Sequence, residues 1–213
     1  MHRIIAVSAG ISAPSSTRTL AEQLAGATES AITARGEAVH TEFLDLRDLA
    51  VDLAHTFTSP GYSSPALTAG IESVTNAEAL IAVTPIYKAS YSGLFKMFFD
   101  IIDAKALVDK PVLLAATAGT PRHSLALEHA VRPLFSFLRA RTIPTAVFAA
   151  TEDFGGDAAD DLQARIVRAA NELAMSLMAE SSTVGGLGGS FARHGEDDEG
   201  TGGSFADRLR KYN

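Results

Sequence analysis

The chain has 213 residues, 46 % of them apolar, and a formal charge of −7 at pH 7. That length suits one α/β domain with a full core, and the acidic balance argues against a nucleic-acid partner, which needs a basic face. The absence of cysteine excludes disulfides, thiolate nucleophiles, iron–sulfur clusters and cysteine-bound zinc.

In chain order, Met1-His2-Arg3 is too short to open a signal peptide, and no apolar run reaches the roughly 18 residues of a membrane span. A cytoplasmic protein with no membrane attachment is expected. Ile4–Val7 is apolar at consecutive positions, as in a strand covered by helices on both faces. A helix is predicted from about Ser16, with Leu20, Leu24, Ala27, Ala31 and Ile32 on one face. The stretch 38–46 alternates and contains Asp45, which suits a strand nearer the edge. Ser64-Pro65 reads as an N-cap with proline in the first turn, opening a helix to about Asn76.

Ala79–Val83 is the next buried strand, followed by a helix whose residues 94–102 are apolar almost all round. So much apolar surface implies a partner subunit, in a homodimer or homotetramer. Val112–Ala116 is a further strand. Ser124 is then expected to cap a helix striped by Leu127, Val131, Leu134 and Leu138, with Pro133 kinking it. Ala146–Ala150 is the last strand, and Leu162, Ile166, Ala169, Ala170, Leu173 and Leu177 line the closing helix. The alternation gives an α/β, doubly wound sandwich around a five-stranded parallel sheet, with order 2-1-3-4-5. Residues 1–182 form this domain. Residues 183–213 are Gly-rich and carry Gly-Gly-Ser-Phe-Ala at 188–192 and again at 202–206. A flexible tail is expected there.

Three loops carry chemistry. After the first strand, Ser8, Ser12, Ser15, Ser16, Thr17 and Arg18 cluster where a helix begins. Free amides at a helix N-terminus, hydroxyls and one arginine make a phosphate receptor. The loop has neither the Gly-Lys-Ser/Thr end of a P-loop nor G-x-G-x-x-G, so a monophosphate is expected. After the third strand come Thr84, Pro85, Ile86, Tyr87, Ser90, Tyr91, Ser92 and Gly93. These set an aromatic ring and backbone amides at the carboxyl edge of the sheet, where ligands of open α/β sheets bind. Gly93 would let the backbone approach a flat ring. The third loop holds Thr117, Ala118, Gly119, Arg122 and His123, and after the fifth strand Glu152 and Asp153 flank the same mouth. The six histidines show no metal-ligand spacing, and no Gly-x-Ser-x-Gly elbow is present, so no metal is expected.

Pro85-x-Tyr87-x-x-Ser90-x-Ser92-Gly93-x-x-Lys96, together with Ser8 and Pro14-Ser15-Ser16-Thr17-Arg18, resembles the signatures of the NAD(P)H-dependent FMN reductase family. Tyr87-Lys88-Ala89-Ser90-Tyr91-Ser92-Gly93 is most similar to the reductases that supply reduced flavin to two-component, luciferase-like monooxygenases. The likeness spans roughly residues 3–180.

It implies a flavodoxin-like fold and the cofactors FMN and NADPH or NADH. It also implies a flavin-dependent monooxygenase as a partner. Hydride passes directly from nicotinamide to flavin, so no side chain is assigned as catalytic. Phosphate binding falls to Ser8, Ser15, Ser16, Thr17 and Arg18. Ring binding falls to Pro85, Ile86, Tyr87, Ser92, Thr117, Ala118 and Gly119. In related reductases the residue matching Tyr91 lies in a helix irregularity at the subunit interface. A quinone or azo reductase and a flavodoxin-type electron carrier use the same site and stay as alternatives.

Overall fold

A computed structural model describes residues 1–59, 61–103, 105–155 and 158–182; the Gly-rich segment and its repeat lie outside these. The strands are β1 (His2–Ser8), β2 (Val39–Asp45), β3 (Ala79–Tyr87), β4 (Ser90–Tyr91), β5 (Pro111–Ala118), β6 (Arg141–Thr142) and β7 (Val147–Ala150). The helices are α1 (Ser16–Thr33), α2 (Ala50–Thr58), α3 (Pro65–Asn76), α4 (Gly93–Ile101), α5 (Arg132–Phe137) and α6 (Ala158–Ser182).

The parallel sheet runs β2-β1-β3-β5, and its last position is shared by β6 and β7. This is the expected order 2-1-3-4-5, with the fifth strand interrupted. Pro144 lies in the gap, where a proline has no N–H to give the ladder. Alternate residues feed two separate cores. Ile4, Ala6, Ile81, Val83, Leu113 and Ala115 face one way and meet Leu20 and Leu24 of α1 and Ile166 and Leu173 of α6. Ile5, Val7, Leu80, Ala82, Val112 and Leu114 face the other way and meet Leu67, Val74 and four phenylalanines, Phe95, Phe98, Phe99 and Phe135. Because both faces are covered, β1, β3, β5 and β7 carry consecutive apolar residues, while the edge strand β2 mixes apolar and polar ones.

Several local expectations change. Residues 46–58, unassigned in the sequence reading, form a short 3₁₀ turn (Leu46–Leu49) and α2, burying Leu46, Leu49 and Leu53. Ser124 does not cap a helix. It follows a 3₁₀ turn (Pro121–His123), and a single π-type turn (Leu127–Val131) precedes α5, with Arg132 N–H reaching back to Leu127 O. The helix irregularity therefore carries His129. Tyr91 lies instead on β4, paired antiparallel with β3. The apolar helix α4 is covered from within: Phe95, Phe98, Phe99 and Ile101 are buried, and Leu94 and Met97 pack against the same core. Its composition reflects depth in the chain and so does not call for a partner subunit.

Candidate functional site

The strands β1, β3, β5 and β7 deliver their carboxyl ends to one place. Ser8 pairs with Val83, Pro85 with Thr117, and Thr117 in turn with Ala149. The loops that leave these ends enclose an open cleft. One wall is Gly10, Ile11, Ser12, Ser16 and Thr17; the other is Pro85, Ile86, Tyr87, Thr117, Ala118, Gly119 and Thr151.

The first wall is built by helix capping. Ser15, in an extended conformation, is the N-cap of α1, and its hydroxyl accepts from Arg18 N–H at 3.3 Å. Thr19 N–H reaches Ser15 O at 3.0 Å. The amides of Ser16 and Thr17, the first two of the helix, meet no protein acceptor among the described residues. They are free donors at the positive end of an 18-residue helix. Gly10 is required by packing, since a Cβ there would lie 2.0 Å from Ser15 Oγ and 3.0 Å from Thr17 Cβ. Arg47 Nη1 donates to Ser12 O at 3.1 Å and ties the loop to the end of β2.

Thr17 and Thr117 join the walls. Both are almost wholly buried, and their hydroxyls lie 2.8 Å apart. The second wall ends in a hairpin, where Ile86 pairs with Tyr91 and Tyr87 with Ser90. Its two central residues, Lys88 (φ 50°) and Ala89 (φ 69°), are both left-handed, as a two-residue turn needs. Neither is glycine, so the turn carries strain of about 1–3 kcal/mol per residue. It holds Tyr87 at the rim, 47 % exposed.

Of the residues expected at the site, Ser16, Thr17, Pro85, Ile86, Tyr87, Thr117, Ala118 and Gly119 line this cleft. Four do not. Ser8 is fully buried, and its hydroxyl is 3.5 Å from Gly10 N, beneath the loop. Ser92 is the N-cap of α4, accepting from Phe95 N–H at 3.2 Å, while its own N–H donates to Thr84 Oγ1 at 3.1 Å. Ser15 and Arg18 line an adjoining cleft on the outer side of the loop. Arg18 pairs with Asp45 at 2.5 Å and Glu22 at 2.8 Å and lies 4.1 Å over the Phe43 ring.

Gly93 has open space where a Cβ would go, so no close approach demands it here. Arg122 and His123 are outside the cleft lining, and Asp153 caps the strand end by accepting from Ala150 N–H at 2.7 Å. The sequence reading assigned no role to Thr151 or Arg47. Among the described residues no group of three or more His, Asp or Glu is placed to hold a metal ion.

Fold and cleft together define a flavodoxin-like protein whose cleft lies at the carboxyl ends of the strands, beside a helix N-terminus with free amides. A model for "NADPH-dependent FMN reductase" matches residues 2–155, and the chain belongs to that family. It is 40 % identical over 177 residues to an FMN reductase (NADPH) of Pseudomonas aeruginosa, covering 81 % of this chain and 90 % of that one. It is 36 % identical over 174 residues to the NADH-dependent FMN reductase SfnF of Pseudomonas fluorescens, with coverage of 81 % and 90 %. A solved oxidoreductase from Corynebacterium diphtheriae superimposes with a TM-score of 0.81 at 45 % identity, over 84 % of this chain and 98 % of the other. The chain is accordingly an oxidoreductase of FMN and a reduced pyridine nucleotide.

Proposed function

We propose that FMN lies with its phosphate against the first turn of α1 and its ring across the ends of β3, β5 and β7. NADPH or NADH reduces it there, and the reduced flavin serves a partner flavin-dependent monooxygenase. The observation that carries this reading is the pair of free amides at Ser16 and Thr17. They sit on a loop dense in hydroxyls and open to the cleft that Pro85, Ile86, Tyr87, Thr117, Ala118 and Gly119 complete. A phosphate dianion satisfies such donors, and each charge-assisted bond contributes about 1.5–3 kcal/mol.

When bound, FMN supplies the two-electron redox chemistry itself. The chain has to bind, orient and shield. Ser12, Ser16 and Thr17 hold the phosphate, while Ser8, Ser15 and Arg18 brace the loop from behind. Ile86 and Tyr87 meet the ring from the β3 side, and Thr117, Ala118 and Gly119 meet it from the β5 side. Ser92 sets the hairpin that carries Tyr87. The half-exposed rim leaves room for a nicotinamide beside the ring.

Two points of setting belong to the same reading. The protein works in the cytoplasm, in keeping with a chain free of cysteine and, among the described residues, of any helix long and apolar enough to cross a membrane. It also works as a homodimer or homotetramer. In support, Phe137 and Leu125, 80 % and 65 % exposed, lie outside the covered core.

The test is oxidation of NADPH and of NADH in air by purified protein titrated with free FMN. Turnover that saturates with FMN is the expected result. A bound yellow chromophore without turnover would replace the enzyme with an electron carrier. Turnover that follows an added quinone or azo dye rather than FMN would change the acceptor.

A further inference from the structure

Behind the phosphate loop lies a second cleft, which the FMN site does not use. It shares Gly10 and Ser12 with the first cleft and is otherwise bounded by Ala13, Pro14, Ser15, Arg18, Asp45 and Arg47. Two guanidinium groups therefore stand immediately outside the loop, at the carboxyl end of β2. They are not equivalent. Arg18 is held by two carboxylates: its Nη1 is on Asp45, its Nε is on Glu22 at 2.8 Å, and its plane lies over Phe43. These contacts neutralise Asp45, the one carboxylate lining the cleft.

Arg47 is much less engaged. Its Nη1 donates to Ser12 O, and its Nε lies 3.7 Å from the well-exposed Asp48. A pair of that kind, exposed on both sides, is strongly screened. Its Nη2 donates to no protein group among the described residues. A half-free guanidinium beside an already neutralised carboxylate is suited to a phosphate monoester.

Two phosphate monoesters are relevant, that of FMN and the adenosine 2′-phosphate of NADPH. The free amides of Ser16 and Thr17, on the inner side of the loop, suit the first. We propose that the outer cleft takes the 2′-phosphoadenosine end of NADPH, with Arg47 on the 2′-phosphate, so that Arg47 determines the preference for NADPH over NADH. Gly10 and Ser12 border both clefts, so a dinucleotide with its adenosine end in the outer cleft crosses the loop at these residues to reach the flavin. The inference rests on the FMN reductase reading for its physiological meaning, but not for its binding measurement.

The test uses the full chain and three proteins: wild type, Arg47→Gln and Arg47→Lys. Calorimetric titration with 2′-AMP and with 5′-AMP probes the cleft without turnover. Wild type is expected to bind 2′-AMP at least about tenfold more tightly than 5′-AMP, Arg47→Gln to lose that difference, and Arg47→Lys to keep part of it. In turnover, the ratio of kcat/KM for NADPH to that for NADH is expected to fall at least about tenfold in Arg47→Gln, through KM for NADPH. Equal binding of the two nucleotides by wild type overturns the proposal. So does an equal loss with NADPH and NADH, which makes Arg47 a brace for the Ser12 loop. A weakened FMN affinity with an unchanged NADPH/NADH ratio also overturns it and gives the cleft to the phosphate of FMN. If wild type oxidises neither nucleotide but still discriminates 2′-AMP through Arg47, the reductase reading fails and the cleft assignment stands.

Discussion

The two ends of the cleft are built on opposite plans. At the phosphate end the loop is over-determined: Ser15 caps the helix, Ser8 lies beneath Gly10, Arg47 holds Ser12 O, and Thr17 is tied to Thr117. At the ring end the contacts are few. Tyr87 is half exposed, Gly119 faces open space, and the turn Pro121–His123 has no side-chain cap. In the proposed placement of FMN, rigidity is concentrated where the phosphate would be held, and a pre-formed set of donors loses little entropy on binding. The open end suits a site that a second substrate must enter.

The sharpest way to break this contrast is at Gly10. Gly10→Ala places a methyl 2.0 Å from Ser15 Oγ, so the cap or the loop must move. FMN affinity, read by quenching of flavin fluorescence, is expected to fall by about 100-fold, or about 2.7 kcal/mol. Thr17→Val removes the bond that joins the two walls and leaves the Thr117 hydroxyl buried without its partner. The expected loss is about tenfold in FMN affinity, with a stability cost of about 1–3 kcal/mol by urea denaturation.

A control comes from Lys110, at the opposite edge of the sheet, whose Nζ donates to Val74 O and to Thr75 O at 2.9 Å, the last carbonyls of α3. Burial lowers its pKa to about 8. Between that value and the ordinary lysine range the unfolded chain binds the proton more tightly than the folded one. Unfolding free energy therefore rises with pH across that window, by at most about 1.4 kcal/mol per pH unit. Lys110→Met is expected to flatten the rise while FMN affinity stays within about twofold. The smallest effect belongs to the open end. His123→Ala changes a residue outside the cleft lining, and FMN affinity is expected to move by less than about twofold.

Much of this plan was legible in the sequence, because it rests on local rules. Ser15-Ser16 and Ser64-Pro65 announce helix starts, and consecutive apolar residues announce strands covered on both faces. What escaped was the direction of side chains. Ser92 and Ser16 look alike in the sequence, yet one is spent on an N-cap and the other faces the cleft. Arg18 looks like a phosphate ligand until β2 brings Asp45 and Phe43 to it from 27 and 25 positions away. Its other partner, Glu22, lies at i+4 and was readable. The helical spacing of Leu46, Leu49 and Leu53 was also present and passed unread. The oligomer argument failed for α4 because a helix buried inside its own chain has the same composition as one buried between chains.

The claim at the centre of the account is that the first turn of α1 holds the flavin by its phosphate. Parallel titrations of the wild-type enzyme with FMN and with riboflavin, which differ by that group alone, test it directly. FMN is expected to bind at least about 100-fold more tightly, and KM for FMN in NAD(P)H oxidation to be lower in proportion. Equal affinity for the two flavins would contradict the account and remove the phosphate from the loop.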